Sequence, residues 1–546
     1  MPGASRPSRR LLVAAVVAVV AVVAAGTALI LRLSDSESVV LTTPSGYVEG
    51  VAGTWQRVNP LYATTNDVDA DLSQLVFSGL VRVGPDGSIS GDLADPPEVS
   101  ADGKAYTFHI RKQAAWHDGA PVTSADVAFT IAQLEDPSFK GDPALAEAWN
   151  GVEVETPDAA TVILKLKQAS GPFLARNGTL GILPGHLLAG LSAQALFEAP
   201  FNAKPIGSGP YKLDSLDSRE AVLSANEQYH LGHPQIGTLR VRFFTDYASA
   251  TRALSAGELN GLMVRDTVTE AQLTELTRAK GMKVEQLERP AYVVLYLNND
   301  QAAFFADEQV RRALSLAIDR KAIVDKVFLG VATPSSSAVA PGTWAYTREY
   351  DTTAADVAEA KKLLDAAGWK RHPTSGILVR EGAEFRFTIR TDNDPVRVAI
   401  AGEIAKQLEP LGIRATVAST TFSVLRRDFL QERRYDAAVA GWDQGPDPDP
   451  YFGWHSSQQG TAGLNIANFG DVVVDELIAK GRTSNNLEVR KEAYRQFQEK
   501  WNELAPSVVL AYPRYVYVHS DSLKGFVPGV LTSPAGRFFD IQKWHM

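Results

Sequence analysis

The fold of this chain is decided by residues 385–442, FRFTIRTDNDPVRVAIAGEIAKQLEPLGIRATVASTTFSVLRRDFLQERRYDAAVAGW. Phe385, Phe387 and Ile389 alternate with polar residues, which is the period-two pattern of a half-buried strand. The rest of the segment predicts, in order, a helix at 396–411, a strand at 414–417, a helix at 422–434 and a buried strand at 435–442. Strands separated by helices in this way are parallel and joined by right-handed crossovers, so the sequence predicts an α/β fold.

A stretch rich in acids and prolines, GWDQGPDPDPY at 441–451, follows the last of these strands. In open α/β sheets ligands bind beyond the carboxyl ends of the strands, so this position favours a binding pocket. Trp442, Tyr451 and Trp454 support that interpretation, because aromatic side chains beside acids suit a pocket better than a solvated turn.

Three other interpretations of the same stretch stay open. Asp443, Asp447 and Asp449 are oxygen ligands of the kind that Ca²⁺ and Mg²⁺ prefer, but the prolines stiffen the backbone, and a stiff chain wraps poorly around one ion. A pair of acids for glycoside hydrolysis is the second alternative, although the separation of two carboxylates cannot be inferred from sequence. A proline-stiffened surface turn is the third, and we rank it below the pocket and above the metal site.

Other segments also alternate between strand and helix patterns. Residues 106–110 and 239–243 show the alternation of half-buried strands. Between Asp307 and Gly330 the apolar residues have helical spacing, with an aspartate placed to cap the start and a glycine placed to end it. We therefore predict a helix across this segment.

Length and composition limit the architecture and the class of function. A chain of 546 residues is too long for one hydrophobic core, so at least two lobes are expected. The formal charge of -9 argues against a nucleic-acid partner, because such binding depends on neutralising phosphates. The chain has no cysteine, which excludes disulfides, thiol chemistry, cysteine-based zinc sites and lipid attachment to an N-terminal cysteine.

The N-terminus has the pattern of an export signal. Arg9 and Arg10 precede an uncharged apolar run at 11–31, which is about the length that a bilayer-spanning helix needs. Arginines on the N-terminal side favour a cytoplasmic start, so the body of the protein is expected outside the cytoplasm. Small residues such as Ala25 leave a cleavage site open, but we favour an uncleaved anchor within residues 1–37.

Seven segments, spread in order along the body, carry a combined signature. They are NPL at 59–61, the stretch 77–130, PIGSGPYKL at 205–213, YLNN at 296–299, VRRALSLAIDRKAIV at 310–324, AKKLLDAAGW at 360–369 and GWDQGPDPDPY at 441–451. Together they resemble the extracytoplasmic solute-binding proteins of peptide- and nickel-type ABC transporters, the family of dipeptide- and oligopeptide-binding proteins known as family 5. The resemblance spans nearly the whole body.

The resemblance implies an α/β, two-lobe periplasmic-binding-protein fold of type II, of the large class with an extra inserted domain and a hinge between the lobes. On this basis we expect crossings between the lobes near Pro290 and Arg514. The expected parts are a first lobe at 38–77, 206–290 and 515–546, an inserted domain at 78–205 and a second lobe at 291–514.

The resemblance also implies a ligand site between the lobes. The ligand-binding residues that it suggests are Trp442, Asp443, Gln444, Asp447, Tyr451, Asn298 and Tyr62. In peptide-binding relatives an aspartate a few residues after the strand-end tryptophan pairs with the ammonium group of the ligand, and here Gln444 and Gly445 occupy about that place. An ordinary peptide is therefore in doubt. Asp443 or Asp447 can supply a countercharge for a cationic or amine-bearing solute, and a sugar or a metal chelate stays open.

We expect a monomeric receptor that binds without turnover and needs no cofactor. It would deliver a small-molecule or oligopeptide ligand to an ABC transporter permease at the outer face of the cytoplasmic membrane, tethered by its N-terminal helix. Two alternatives remain, a membrane-tethered sensor or scaffold with the same fold and a peptide or glycoside hydrolase. The hydrolase has thin support, because WHDG at 116–119 predicts a turn and GSGP at 207–210 lacks the full nucleophile-elbow pattern.

Overall fold

A computed structural model of the protein describes residues 46–265 and 267–546. The predicted anchor at 1–37, with its membrane span at 11–31, lies outside the described residues. Within the described ranges, none of the helices combines the length and the apolar character that crossing a membrane requires.

The first of two large sheets has seven strands. The strand Tyr47–Ala52 lies at its centre and pairs in parallel with Thr238–Phe244 and Gly261–Val264, whereas the outer pairings are antiparallel. The strand order is Met282–Leu287, Tyr515–Ser520, Gly261–Val264, Tyr47–Ala52, Thr238–Phe244, Glu220–Ala225 and Tyr211–Leu216.

The second large sheet has six strands and contains the segment that decides the fold. Arg386–Asp392 pairs in parallel with Arg414–Thr420 on one side and with Ala437–Asp443 on the other, which confirms the predicted parallel arrangement. Ala437–Asp443 then pairs antiparallel with Ala291–Leu297, so the sheet as a whole is mixed. The strand order is Ala332–Pro334, Ser507–Pro513, Ala291–Leu297, Ala437–Asp443, Arg386–Asp392 and Arg414–Thr420.

Three smaller sheets complete the strands of the described part. Their strands, in spatial order, are Val81–Val83 and Ile89–Gly91; Glu98–Val99, Ala105–His109, Thr161–Lys165 and Glu153–Asp158; and Lys370–Arg371, Leu378–Arg380 and Ala383–Glu384. The strand predicted at 106–110 belongs to the second of these sheets, and the strand predicted at 239–243 belongs to the first large sheet.

The helices alternate with the strands along the chain. Those of the described part are Asp67–Val76, Ser124–Glu135, Pro143–Glu147, Phe173–Asn177, Gly185–Leu188, Ala193–Phe197, Tyr247–Ser255, Glu270–Arg278, Glu308–Ala317, Arg320–Val327, Val357–Ala366, Pro395–Leu408, Phe422–Val424, the π-helical turn Leu425–Leu430, Tyr451–Trp454, Val472–Thr483 and Leu487–Leu504.

The helix predicted between Asp307 and Gly330 is two helices, which corrects the prediction. Asp307 caps the first helix, as expected, by accepting a hydrogen bond from the Gln309 amide. The first helix ends at Ala317, and Asp319 caps a second one by accepting from the Ala322 amide. An internal aspartate that bonds its own backbone competes with the helix, and the apolar spacing alone did not reveal the break.

Each large sheet is covered on both faces by apolar side chains. In the strand Ala291–Leu297, Val293 and Leu295 belong to one buried cluster, whereas Tyr292 and Val294 belong to another. Strands buried on both faces are typical of sheets sandwiched between helices. The strands of the first sheet all fall within 38–77, 206–290 and 515–546, and those of the second within 291–514. The predicted lobe boundaries are consistent with this distribution and stay a prediction.

Candidate cleft between the two large sheets

Two cavities lie where residues associated with the first sheet meet residues of the second. The larger has a volume of about 410 Å³ and is lined by residues of the helix Asp67–Val76, of 175–181 and of 532–539, with Pro446 contributed by the loop after the second sheet. The smaller, of about 130 Å³, takes Asp394 and Arg397 from the second-sheet side. Arg265 lines both cavities, so they are neighbouring parts of one cleft.

A third depression is larger but does not involve both sheets. It is a groove of about 930 Å³ between the helices Tyr247–Ser255 and Glu270–Arg278. All of its lining residues come from 254–282, so no residue of the second sheet contributes to it. A site that binds by bringing two lobes together needs residues from both, and we therefore place the candidate site in the cleft.

Arginines paired with acids surround the smaller cavity. Arg397 forms hydrogen bonds with both carboxylate oxygens of Asp392, at 2.7 and 2.8 Å, and its Nη2 lies 3.3 Å from Asp394 Oδ2. Arg514 Nη2 lies 2.7 Å from Glu288 Oε1. These pairs preorganise the wall of the cleft, because bidentate arginine–carboxylate contacts have a fixed geometry.

Arg265 connects the cleft to a buried ionic cluster. Its guanidinium lies 2.8 Å from Asp67 and 2.7 Å from Asp71, both on the helix that lines the larger cavity. Behind that helix, Arg537 is fully buried and contacts Asp71 at 2.7 Å and Glu49 at 2.8 Å. The wall of the cleft is therefore tied to the central strand and to the C-terminal segment by a single network of charges.

Burial changes the acidity of this cluster. Burial raises the pKa of Glu49 to about 7, although the positive charge of Arg537 acts to lower it and the negative charge of Asp71 adds to the rise. Burial also raises the pKa of the Asp71 carboxyl, against the opposing effect of Arg537. Glu49 can consequently gain or lose a proton near neutral pH while it stays inside the fold.

Trp442 and Asp443 end the strand Ala437–Asp443 of the second sheet. Trp442 is partly buried and packs beside Gly453, where a Cβ atom would lie 3.4 Å from the indole. The Asp443 side chain is 49% exposed, and its Oδ2 lies 3.3 Å from Arg289, which lines the smaller cavity. Asp443 is therefore half exposed beside a cation that lines the smaller cavity.

Gln444 and Asn298 use their side chains within the fold. The Gln444 side chain accepts from the Ala340 amide at 3.0 Å and donates to the Ala338 carbonyl at 2.8 Å. Asn298 is fully buried and donates to the carbonyls of Arg433 and Tyr435 at 2.7 and 2.9 Å. Both amides hold loops in place.

The strand register also separates Asn298 from the predicted residues of the segment 442–451. Ala291 pairs with Asp443 and Leu297 pairs with Ala437. Asn298 therefore follows the end of its strand that is opposite to Asp443, roughly 20 Å away at about 3.4 Å per residue. The structure does not bring these two residues together.

The two later aspartates of the loop are buried and paired. Asp447 is 2% exposed and forms a bidentate contact with Arg490, at 2.7 and 2.9 Å. Asp449 lies between Arg482 and Arg176, the latter at 3.6 Å. In the described part of the chain, no three His, Asp or Glu side chains converge to hold a metal ion.

The two predicted tyrosines differ in their surroundings. The Tyr451 hydroxyl lies 3.0 Å from Ser457 Oγ, and the guanidinium of Arg482 sits 4.2 Å from the centre of its ring. Tyr62 is buried, donates to the Ala193 carbonyl at 3.3 Å and packs against Phe197. None of the seven predicted residues lines either part of the cleft, and their ligand-binding role stays a prediction.

The arginines at the cleft are functional candidates that the sequence interpretation missed. Arg289 directly precedes Pro290, and Arg397 opens the helix that follows a strand end. A cation at a predicted crossing or at the carboxyl end of a parallel strand is the signal that identifies them. Their partners are distant in sequence, so the pairing itself was not visible.

The two segments considered as hydrolase motifs, 116–119 and 207–210, have structural roles. In the first, the Gly119 amide donates to the Trp116 carbonyl at 2.9 Å, which closes the predicted turn. In the second, the Gly209 amide donates to the Val76 carbonyl at 2.8 Å, and a Cβ on Gly209 would lie 2.6 Å from the Val76 carbonyl carbon. Glycine is required there because two backbones touch.

Comparison with known proteins identifies the family. The family described as "Bacterial extracellular solute-binding proteins, family 5 Middle" matches residues 88–463. The chain belongs to this family. Members of family 5 are extracytoplasmic binding proteins, and the fold is the two-lobe type II periplasmic-binding-protein fold that the resemblance implied.

Similar proteins of this family include receptors with bound solutes. The oligopeptide-binding protein AppA of Bacillus subtilis is 30% identical over 506 residues, covering 91% of each chain. A solved structure of AppA in complex with a nonapeptide has a TM-score of 0.65 at 29% identity and covers 92% of this chain and 98% of that one. NikZ of Campylobacter jejuni, in complex with Ni(L-His), has a TM-score of 0.69 at 26% identity and covers 92% and 99%.

Proposed function

We propose that this family 5 member captures a peptide-like or other small polar solute in the cleft between its two lobes and delivers it to the permease of an ABC transporter. The observation that carries the proposal is the pair of adjoining cavities that are lined by segments of both predicted lobes and joined at Arg265. The peptide complex of AppA, at 29% identity, supports a peptide-like solute.

The charges at the cleft favour a solute that has both an amino group and an acidic group. Asp443 is half exposed, so its carboxylate can receive a cation in place of its contact with Arg289. Arg397 is 31% exposed beside the smaller cavity and can share its charge with a carboxylate. Trp442 would contribute an apolar contact at the same strand end.

The remaining predicted residues act indirectly in this proposal. Gln444 and Asp447 hold the strand end and its loop through buried hydrogen bonds and an ion pair. Asn298 holds the segment that leads into the opposite end of the same strand. Tyr62 supports the core under the cleft wall, and Tyr451 packs on the loop. A prearranged site loses less entropy on binding than a mobile one.

We further propose that closure of the lobes about the crossings near Pro290 and Arg514 is the functional event, without chemistry on the solute. The protein acts as a monomer at the outer face of the cytoplasmic membrane, tethered by the segment 11–31. N-terminal sequencing of the native protein tests the tether, since a start just after Ala25 or Ala28 would show that the segment is cleaved and the protein released.

A thermal-shift screen tests the receptor function. The panel contains synthetic peptides of two to nine residues, polyamines, oligosaccharides and the nickel–histidine chelate. A true solute at 100 times its dissociation constant adds about 2.7 kcal/mol of stability. Peptides that raise the melting temperature and are recovered intact after incubation support the proposal. No shift with any member of the panel, or hydrolysis of a peptide that binds, would contradict it.

A further inference from the structure

The loop after the strand Ala437–Asp443 contacts the predicted inserted domain at 78–205. Arg176, in a helix of that domain, places its Nη2 3.6 Å from Asp449 Oδ2 and its guanidinium 5.6 Å from the centre of the Phe452 ring. The Asp449 side chain is completely buried and also pairs with Arg482. A carboxylate removed from water depends on its cations, so separating Arg176 from it has an energetic cost.

A second group of contacts surrounds the linker between the helices Val472–Thr483 and Leu487–Leu504. The Tyr106 hydroxyl shares its proton between Asn485 Oδ1 at 2.9 Å and the Ser170 carbonyl at 3.0 Å, and Asn485 Nδ2 donates to the Gly103 carbonyl at 3.2 Å. One linker side chain thus bonds two nearby residues of the predicted inserted domain.

Backbone contacts reinforce the same junction. The Gly171 amide donates to the Arg482 carbonyl at 2.7 Å. A side chain on Gly171 would overlap the Ser484 carbonyl oxygen, so the two backbones approach as closely as glycine permits. The junction is therefore a shaped, directional contact.

This junction lies at the rim of the larger cavity. Ala175, the neighbour of Arg176, lines that cavity, and so does Pro446, which lies three residues before Asp449. Movement of the loop away from the inserted domain would therefore open the cavity on this side.

We propose that Arg176, Tyr106, Asn485, Asp449 and Gly171 form a latch that holds the inserted domain against the second lobe and favours the closed conformation before a solute binds. The proposal rests on the proposed function, because it assigns these contacts to the closing movement. Pro446, Pro448 and Pro450 then stiffen the loop so that the aspartates meet their arginines without a large loss of entropy.

Distance measurement between two spin labels tests the latch. The chain has no cysteine, so Thr156→Cys in the predicted inserted domain and Ala366→Cys in the second lobe give two unique labelling positions, both exposed. Double electron–electron resonance on the full-length labelled protein, with no solute added, measures the distribution of distances between the two labels. The ratio of its short-distance to its long-distance population reports the balance between closed and open conformations. We expect the parent to show a substantial short-distance population.

Two variants weaken the latch without disturbing a core. Tyr106→Phe keeps the buried ring and removes only the hydroxyl, and Asn485→Ala removes both bonds of an exposed side chain. Each should lower the ratio of short to long distances by about threefold to tenfold, the effect expected for one or two hydrogen bonds. The matched control is Tyr211→Phe. The Tyr211 hydroxyl donates to the Ile236 carbonyl at 2.9 Å, and both residues belong to the predicted first lobe. This control should leave the ratio unchanged.

Ratios for both latch variants within twofold of the control would overturn the proposal, as would a parent that shows only the long distance. These failures differ from failure of the proposed function. If the chain binds peptides but the distance ratio is unchanged in the variants, the latch is refuted and the receptor function still stands. If the chain binds no peptide but its distance ratio falls in Tyr106→Phe, the latch is supported and a peptide solute is not.

Discussion

Replacing Asp447 distinguishes a structural acid from a ligand-binding acid. In Asp447→Asn the carboxylate is lost while size and shape are kept. Burial acts to lower the pKa of the Arg490 guanidinium, but the attraction of Asp447 outweighs it and raises that pKa. In the variant this attraction is lost, yet Arg490 stays charged because a guanidinium is not deprotonated in proteins. Arg490 is 5% exposed, so this charge would remain buried without its partner.

The expected cost follows from that geometry. Breaking a buried ion pair by removing one partner destabilises a protein by about 3–5 kcal/mol. Arg490 retains its bond to the Gly481 carbonyl at 2.9 Å and its position over the Trp344 ring, and the new amide oxygen can still accept one hydrogen bond. We therefore expect a loss near the lower limit, about 3 kcal/mol.

Urea unfolding followed by circular dichroism measures the loss. The matched control is Asp443→Asn, which removes one partner of a half-exposed pair and should cost less than about 1 kcal/mol. The double variant Asp447→Asn with Arg490→Met should recover part of the stability, because no buried charge is left unpaired. A loss below about 1 kcal/mol in Asp447→Asn, together with abolished binding of a peptide identified by the screen, would refute the structural role.

Three further predictions concern other parts of the molecule. Between about pH 4.5 and 7 the folded protein holds a proton on Glu49 that the unfolded chain releases, so Glu49 makes stability fall as pH rises through this window. Relative to Glu49→Gln, the parent should lose roughly 2–3 kcal/mol between pH 5 and pH 8 in urea unfolding, and equal pH dependence of both proteins would contradict the raised pKa. Gly209→Ala should cost about 1–3 kcal/mol because its methyl group meets the Val76 backbone, whereas Gly237→Ala, with nothing within 4 Å, should be nearly neutral; similar melting temperatures would show that the close approach does not matter. Trp442→Ala should weaken binding of an identified peptide by about 2 kcal/mol in calorimetry if the indole contacts it, with an unchanged affinity placing the contact elsewhere.

Local patterns were sufficient to predict the parallel strands of the second sheet. The alternation around Phe387 and the buried run before Trp442 each specify a strand without distant information. The mixed character of the sheet was not predictable in this way, because the antiparallel neighbour Ala291–Leu297 is more than 130 residues away in sequence. A central strand needs apolar residues on both faces whether its neighbours are parallel or antiparallel, so its sequence does not reveal their direction.

The candidate site was less predictable than the fold for a physical reason. A sequence shows which side chains are acidic, but it does not show which of them form ion pairs with arginines elsewhere in the chain. No local pattern marks Asp447 and Asp449 as buried, and their partners Arg490 and Arg482 lie on helices more than 30 residues later. The stretch that suggested a pocket wall is consequently a paired and buried loop, and only Asp443 among its acids keeps a partly exposed carboxylate.

Hydrogen–deuterium exchange with and without a peptide found by the screen tests the central claim most directly. The account predicts that the peptide slows exchange on both sides of the cleft, in the helix Asp67–Val76 and in 532–536 on one side and in 394–397 and 443–446 on the other. Protection confined to one side, or located in the groove between Tyr247–Ser255 and Glu270–Arg278, would contradict capture between the lobes.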